Sequence, residues 1–212
     1  MDRIPGMRRD YVTGELSEAT AGDEPFALFT AWLDEAMRAG LVEPTAAALA
    51  TCGADGQPSC RMVLLKGADP RGFVLFTNGE SRKASDMMAH PRAALTLWWD
   101  KLERQVRIEG AVERVSDAEA DDYHASRPRA SQLAAWASAQ SRPLGDRAEL
   151  DGRFAETAKR FEGHDVPRPP HWGGFRIVPG SIEFWQGRRD RLHDRIVFRR
   201  AGSGWSRTRL SP

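Results

Sequence analysis

Cysteine is nearly missing from this sequence. Two occur among 212 residues, at positions 52 and 60, so no disulfide framework holds the fold and no Cys/His spacing offers a zinc site. A turn at Asp55-Gly56 would set Cys52 opposite Ser59 and Thr51 opposite Cys60, sending the thiols to opposite faces and disfavouring a bond between them. Long apolar runs are missing too. Stretches such as Ala46 to Ala50 or Met62 to Leu65 fall far short of the roughly 18 residues that cross a bilayer. The N-terminus Met1-Asp-Arg-Ile-Pro-Gly-Met-Arg-Arg puts charges where a secretory signal needs its apolar segment. A cytoplasmic protein with no membrane partner is the expectation. Net charge is scarce: 31 Lys plus Arg against 30 Asp plus Glu leave +1, no bulk field for nucleic acid. Absent as well are a G-x-G-x-x-G after a strand, a P-loop and an H-E-x-x-H, which removes the Rossmann, P-loop and common zinc-enzyme readings. The five histidines are scattered and no metal is expected.

What is present suits one sizeable core. With glycine counted, roughly half the residues are apolar, and a chain of this length buries around 70% of its unfolded surface. Residues 1–22 are polar and aperiodic and read as a flexible N-terminal arm; 23–212 read as a single domain. Asp23 is placed to cap a helix with Pro25 in its first turn and Phe26, Phe29, Leu33 and Met37 on one face, ended by Gly40. Strands are predicted at 45–52, 59–66, 73–77, 93–99, 104–115, 175–178, 181–186, 192–199 and 205–210. A short helix capped by Ser81 is predicted to run to His90. A helix opened by the Ser116/Glu119 capping box is interrupted by Pro128; further helices are predicted over 131–138 and 147–161. Many antiparallel strands with helices between groups indicate an α+β fold, an antiparallel β-barrel with peripheral helices.

Four segments carry chemistry. Thr77-Asn78-Gly79-Glu80-Ser81-Arg82-Lys83 ends a strand and begins a helix, and gathers free backbone N–H groups, hydroxyls, a guanidinium and an ammonium. Such a place suits a phosphate or is an ordinary capped helix with basic surface residues. In Arg61-Met62-Val63-Leu64-Leu65-Lys66, period-two alternation puts Arg61 and Lys66 on opposite faces of a regular strand. A bulge, two ligand parts or plain strand-end charges each account for them. Tyr123 and Arg127 share a helix face with Ser131 just beyond the proline, a trio able to bind a phosphate monoester or simply a solvated helix end. Arg191, His193 and Arg195 alternate in a predicted strand and so point to one side, a surface for an anionic aromatic substrate or the strand's wet face.

Taken in order and spacing, these strings resemble the pyridoxine (pyridoxamine) 5′-phosphate oxidase family. The resemblance runs from Arg8 to Pro212 and includes Arg8-Arg9-Asp10-Tyr11, Leu102-Glu-Arg-Gln-Val106, Gln140-Ser141, Trp172-Gly-Gly-Phe175, Ile182-Glu-Phe-Trp-Gln-Gly187 and Arg191-Leu-His-Asp-Arg195. It is weakest over Thr13 to Gly22. It implies an FMN-binding split β-barrel, Greek-key-like, whose C-terminal strands help form a homodimer with FMN at the interface. The implied reaction oxidises pyridoxamine or pyridoxine 5′-phosphate to pyridoxal 5′-phosphate, with O2 as acceptor and H2O2 as product. Carried over by position, FMN would meet Arg61, Met62, Val63, Leu64, Leu65, Lys66, Phe76, Thr77, Arg82 and Lys83, and also Gln105, Gln140, Ser141, Trp185 and Arg195. Lys66, Tyr123, Arg127 and Ser131 would hold the substrate phosphate. Arg191 and His193, the implied catalytic pair, would flank the pyridine ring with Leu192 between them, and Arg8, Arg9, Asp10 and Tyr11 would close over it. Two ligands need two faces, which accommodates the opposed Arg61 and Lys66. A split-barrel flavin oxidase acting on a phenazine-type ring and a non-catalytic flavin or pyridoxal phosphate binder are the alternatives.

Overall fold

The computed structural model describes residues 10–212, so Arg8 and Arg9 lie outside the described residues. Its elements run α1 (Glu18–Ala21), α2 (Pro25–Arg38), β1 (Ala46–Cys52), β2 (Pro58–Leu64), β3 (Gly67–Asp69), β4 (Gly72–Asn78), α3 (Arg82–Ala89), β5 (Arg92–Trp99), β6 (Arg104–Arg114), α4 (Asp117–Ser126), α5 (Arg129–Ala137), α6 (Arg147–Arg160), β7 (Trp172–Gln186), β8 (Asp194–Ala201) and β9 (Gly204–Leu210). All pairings are antiparallel, in the order β2-β1-β5-β6-β7-β4-β3, with β8 on β7 and β9 on β8.

One strand explains the split in the barrel. β7 pairs with β6 along one edge for nearly its whole length, while its other edge serves β4 over Trp172–Ile177 and β8 over Ser181–Gln186. The two sets part around Pro179, which has no N–H to donate, and β6 shifts register there between Glu109 and Gly110. The predicted pair of strands at 175–178 and 181–186 is therefore one continuous strand bent at a bulge. No helix among the described residues is long and apolar enough to cross a membrane.

The core fills the curl of the sheet and is sealed by α2. Phe26, Leu28, Phe29, Trp32 and Ala36 face inward, a period-3.6 stripe that leaves Met37 exposed rather than buried as expected. Phe29 and Phe26 pack on Phe73, and Trp32 packs edge-on against Phe184. The helix N-cap is Glu24 rather than Asp23, and no side chain caps it; Pro25 at the first position needs no partner for its nitrogen. The capping box of Ser116 and Glu119 and the break at Pro128 stand as read.

Two local expectations fail for a countable reason. The β1–β2 loop spans 53–57, closed by the Gly53 N–H donating to the Gln57 carbonyl, so Cys52 faces Pro58 and Cys60 faces Ala50. That one-residue slip puts both thiols on the same outer face, where they are free. The stretch 13–22, expected to be flexible, holds Leu16 and Ala21 in the core and a capping box at Ser17. Arg209 grips Glu18 through two hydrogen bonds, 2.8 and 2.9 Å. Those partners lie more than 170 residues away in sequence, so no local periodicity announces them.

Candidate functional site

The first cluster forms where β4 runs into α3. Lys83 Nζ donates to Thr77 Oγ1 at 2.7 Å and Ser81 Oγ at 3.0 Å. Thr77 Oγ1 in turn donates to Gln140 Oε1 at 3.2 Å, and the Arg82 backbone N–H donates to Ser141 Oγ at 3.3 Å. Ser81 occupies the N-cap position without capping: its hydroxyl donates back to the Asn78 carbonyl at 2.7 Å. Ser81 thus leaves the first turn of α3 uncapped except for the Arg82 N–H that Ser141 takes, and a helix N-terminus with free N–H groups attracts an anion. Burial and the nearby Arg61 push the Lys83 ammonium down to about 8.

Arg61 is held at the edge of this cluster by groups the sequence did not single out. Its guanidinium donates to Thr51 Oγ1 at 2.7 Å, Ser59 Oγ at 2.5 Å and the Leu49 carbonyl at 3.1 Å. Asp86, buried on α3, accepts from Thr51 and Ser59 at 2.7 and 2.8 Å and lies 3.6 Å from Arg61. Those hydroxyls and Arg61 hold the Asp86 carboxyl below the usual carboxylate range against the opposing effect of burial, which is the largest single influence on it. Met62 and Leu64 face outward with Cys60, whereas Val63 and Leu65 turn toward the core. Lys66 lies past the end of β2, its N–H donating to the Val74 carbonyl and its side chain exposed.

A second group adjoins the first. The rings of Phe76, Tyr123 and Trp172 stack, with Phe76 4.1 Å from Tyr123 and 5.5 Å from Trp172. Gly174 permits this, since a Cβ there would fall 2.8 Å from the Phe76 ring. The Arg127 guanidinium lies 4.7 Å over Trp172, and its Nη1 is buried with no hydrogen-bond partner among the described residues. Burial also lowers the guanidinium's proton affinity and raises that of the Tyr123 phenol. A cavity of about 250 Å³ is lined by Phe76, Thr77, Arg127, Gln140 and Trp172, among others. Ser131 sits half-buried in the first turn of α5. Trp172, which in the sequence stands out only within the Trp172-Gly-Gly-Phe175 string, ties the cluster together.

A third group lies at the other end of β7. The rings of Trp185 and His193 are 4.5 Å apart, and Tyr11 packs on both and on Trp98. Gly187 makes room for Tyr11, whose ring would meet a Cβ at 2.8 Å. Glu103 anchors this N-terminal segment by accepting from the Val12 and Thr13 N–H groups at 2.7 and 3.1 Å. Asp10 is exposed. Gln105 pairs with Trp185 across the sheet, and Arg195 binds both oxygens of Glu183, at 2.9 and 3.1 Å.

Arg191 and His193 do not belong to a strand, contrary to the predicted span 192–199. Arg189–Arg191 form a 3₁₀ turn and β8 starts at Asp194. Asp190 and Arg191 both adopt positive φ, 55° and 60°, a conformation that costs non-glycine residues energy and concentrates at functional sites. Leu192 points out, 70% exposed. His193 Nδ1 accepts the Arg188 N–H at 3.0 Å, leaving its other nitrogen to carry the proton. Partial burial and the neighbouring Arg191 lower its pKa.

The third group lies toward the opposite end of β7 from the other two. Tyr123 and Arg127 sit at Trp172, while His193 sits at Trp185, the two tryptophans near opposite ends of β7. At roughly 3.3 Å per residue they are separated by about 40 Å of strand.

Residues 33–161 match the model for pyridoxamine 5′-phosphate oxidase, and residues 172–212 match that for the pyridoxine 5′-phosphate oxidase C-terminal dimerisation region. The chain is 56% identical over 213 residues to the pyridoxine/pyridoxamine 5′-phosphate oxidase of Cupriavidus necator, covering 100% of both chains. It is 54% identical over 209 residues to that of Rubrobacter xylanophilus, covering 99% of this chain and 96% of the other. Among solved structures, PhzG from Burkholderia lata in complex with tetrahydrophenazine-1-carboxylic acid superimposes with a TM-score of 0.89 at 33% identity, covering 95% of this chain and 100% of that one.

Proposed function

Because the chain belongs to the pyridoxine/pyridoxamine 5′-phosphate oxidase family, we propose that it is the FMN-dependent oxidase that converts pyridoxamine or pyridoxine 5′-phosphate to pyridoxal 5′-phosphate, with O2 as acceptor. The observation that carries this reading is a pair of anion-seeking groups, Arg127 lining one small cavity and Lys83 bonded to Thr77 in its wall. Lys83 is a half-buried cation bonded to hydroxyls and crowded by Arg61. Arg127 is a guanidinium with a buried N–H that has no partner among the described residues. Each costs energy until an anion arrives, and two phosphorylated ligands answer two such groups. The residues present therefore fit a flavin mononucleotide: Lys83, Arg82, Arg61, Thr77, Gln140 and Ser141 on its phosphate side, and Gln105, Trp185 and Arg195 elsewhere. Met62 to Lys66 and Phe76 complete the proposed contacts.

The placement of the groups toward opposite ends of β7, together with the match of residues 172–212 to a C-terminal dimerisation region, supports a homodimer in which one chain supplies Tyr123, Arg127 and Ser131, with Lys66, and its partner supplies the group around Arg191 and His193. When bound, the flavin supplies the two-electron acceptor and passes the electrons to dioxygen, releasing hydrogen peroxide. The chain's own residues do the positioning. Arg127, Tyr123 and Ser131 fix the phosphate end of the substrate, so binding energy spent there orients its C4′ carbon. Arg191 and a neutral His193, its proton on Nε2, flank the ring; Tyr11 and Leu192 limit water. For the amine substrate, hydrolysis then yields ammonia and the aldehyde.

Purified protein is expected to be yellow, dimeric and active in a peroxide-coupled assay with pyridoxamine 5′-phosphate. Colourless protein that forms no peroxide with either phosphorylated vitamer contradicts the proposal. Flavin affinity carries a further signature. A phosphate prefers the protonated Lys83, whose pKa in the free protein is about 8, so affinity is expected to fall as pH rises through about 8. Quenching of flavin fluorescence on titration measures this, and Lys83→Met should flatten the profile. A wild-type affinity constant from about pH 7 to about pH 9 contradicts the assignment.

A further inference from the structure

Helix α4 presents Tyr123 and leads into Arg127, yet it has little apolar anchorage: of its ten residues only Ala120 and His124 are buried. The Tyr123 ring stacked on Phe76 and three of the helix's carboxylates anchor it. Arg168, in the loop before β7, donates from Nη2 to Asp117 at 2.8 Å and from Nε to Asp121 at 2.5 Å, one helical turn apart. Its third N–H, on Nη1, reaches the carbonyl of Trp172 at 2.7 Å. Trp172 is the residue whose ring carries Arg127 at 4.7 Å and lies parallel to Tyr123 at 6.1 Å. One guanidinium therefore sets the helix that bears the phosphate ligands against the indole that orients them.

A second arginine also ties α4 to β7, through Glu119. Arg176 meets Glu119 at 2.6 Å, Glu113 at 3.5 Å and Asp69 at 3.6 Å and is itself 3% exposed. Those carboxylates are partly exposed and Arg71 also pairs with Asp69 and Glu119, so the cost of losing Arg176 lies in the void its own buried side chain would leave beside β7. The partners of Arg168, Asp117 and Asp121, are 89% and 59% exposed. Water can take over those carboxylates, so the chain without this guanidinium still folds while α4 loses its fixed distance from Trp172.

We infer that Arg168 is a positioning residue for recognition of the substrate phosphate, acting through Asp117, Asp121 and the Trp172 carbonyl on Arg127 and Tyr123. The inference rests on the reading of Arg127 as a phosphate ligand. The side chain is built for three simultaneous, planar donations, which a lysine cannot reproduce.

The test compares pyridoxamine 5′-phosphate with unphosphorylated pyridoxamine on the flavin-loaded dimer. Arg168→Met is expected to raise KM for the phosphorylated substrate about tenfold while kcat stays within about twofold. It should weaken binding of pyridoxal 5′-phosphate, titrated by absorbance, to the same extent. Activity on pyridoxamine, which has no phosphate to place, should be unaltered, and a purely structural role would not spare it. Arg168→Lys should fall between wild type and Arg168→Met, and it carries the same comparison if the methionine variant does not fold. An unchanged KM, or equal losses with both substrates, overturns the inference. Arg127→Ala separates the two levels. If it does not discriminate between the substrates, the phosphate-ligand reading fails; if it does and the Arg168 variants do not, only the positioning role fails.

Discussion

Arg191→Ala is expected to bind flavin and dimerise like the parent protein and to turn over about a hundredfold more slowly. A hydrogen bond from a charged donor is worth about 1.5 to 3 kcal/mol, a factor of roughly 10 to 150 in rate if it is made as the transition state forms. Two adjacent residues held at positive φ, Asp190 and Arg191, supply the reason to assign the loss to this side chain. Strain of that kind persists where the surrounding structure needs a side chain at one fixed place. Arg191→Gly separates strain from charge, since it relieves the backbone while removing the guanidinium. Its turnover should fall as far as that of the alanine variant. Saturating kcat alongside flavin absorbance measures both, and a turnover within twofold of the parent would remove Arg191 from the chemistry.

Arg127→Ala is expected to act on the other kinetic constant. It should raise KM for the phosphorylated substrate about tenfold to a hundredfold with little change in kcat, because the contact it removes is made equally in ground and transition states. The structure adds a reason for so large an effect. The Arg127 Nη1 is already desolvated without a partner among the described residues and the guanidinium sits over Trp172, so little ordering remains to be done when phosphate arrives. Steady-state kinetics over a wide substrate range check this, and an unchanged KM would remove Arg127 from the phosphate site.

Much of this was legible in the sequence. Period-two alternation and the Ser116/Glu119 box located most strands and α4, because both signals are local and physical. The cluster around Thr77, Lys83, Gln140 and Ser141 was legible only as matched strings, since residues some sixty positions apart share no periodicity. Asp86 was invisible: an acidic residue within a short helix looks like a solvated one until Thr51, Ser59 and Arg61 close around it. Parity arguments failed where the chain left the regular strand. The five-residue loop at 53–57 turned both cysteines to one face, and the 3₁₀ turn at Arg189–Arg191 broke the supposed row of Arg191, His193 and Arg195. The stacked Phe76, Tyr123 and Trp172 come from β4, α4 and β7, a convergence that only the fold supplies.

The proposed chemistry needs a site shared between two subunits. Co-expressing an Arg127→Ala chain with an Arg191→Ala chain, each carrying a different affinity tag, isolates mixed dimers in which one of the two sites draws both intact groups from different chains. Assayed at low substrate, those dimers should recover about half the parent's kcat/KM per dimer, although either variant alone is nearly inactive. Mixed dimers no more active than the two parental variants would place Arg127 and Arg191 in service of the same site within one chain, and the account would be wrong.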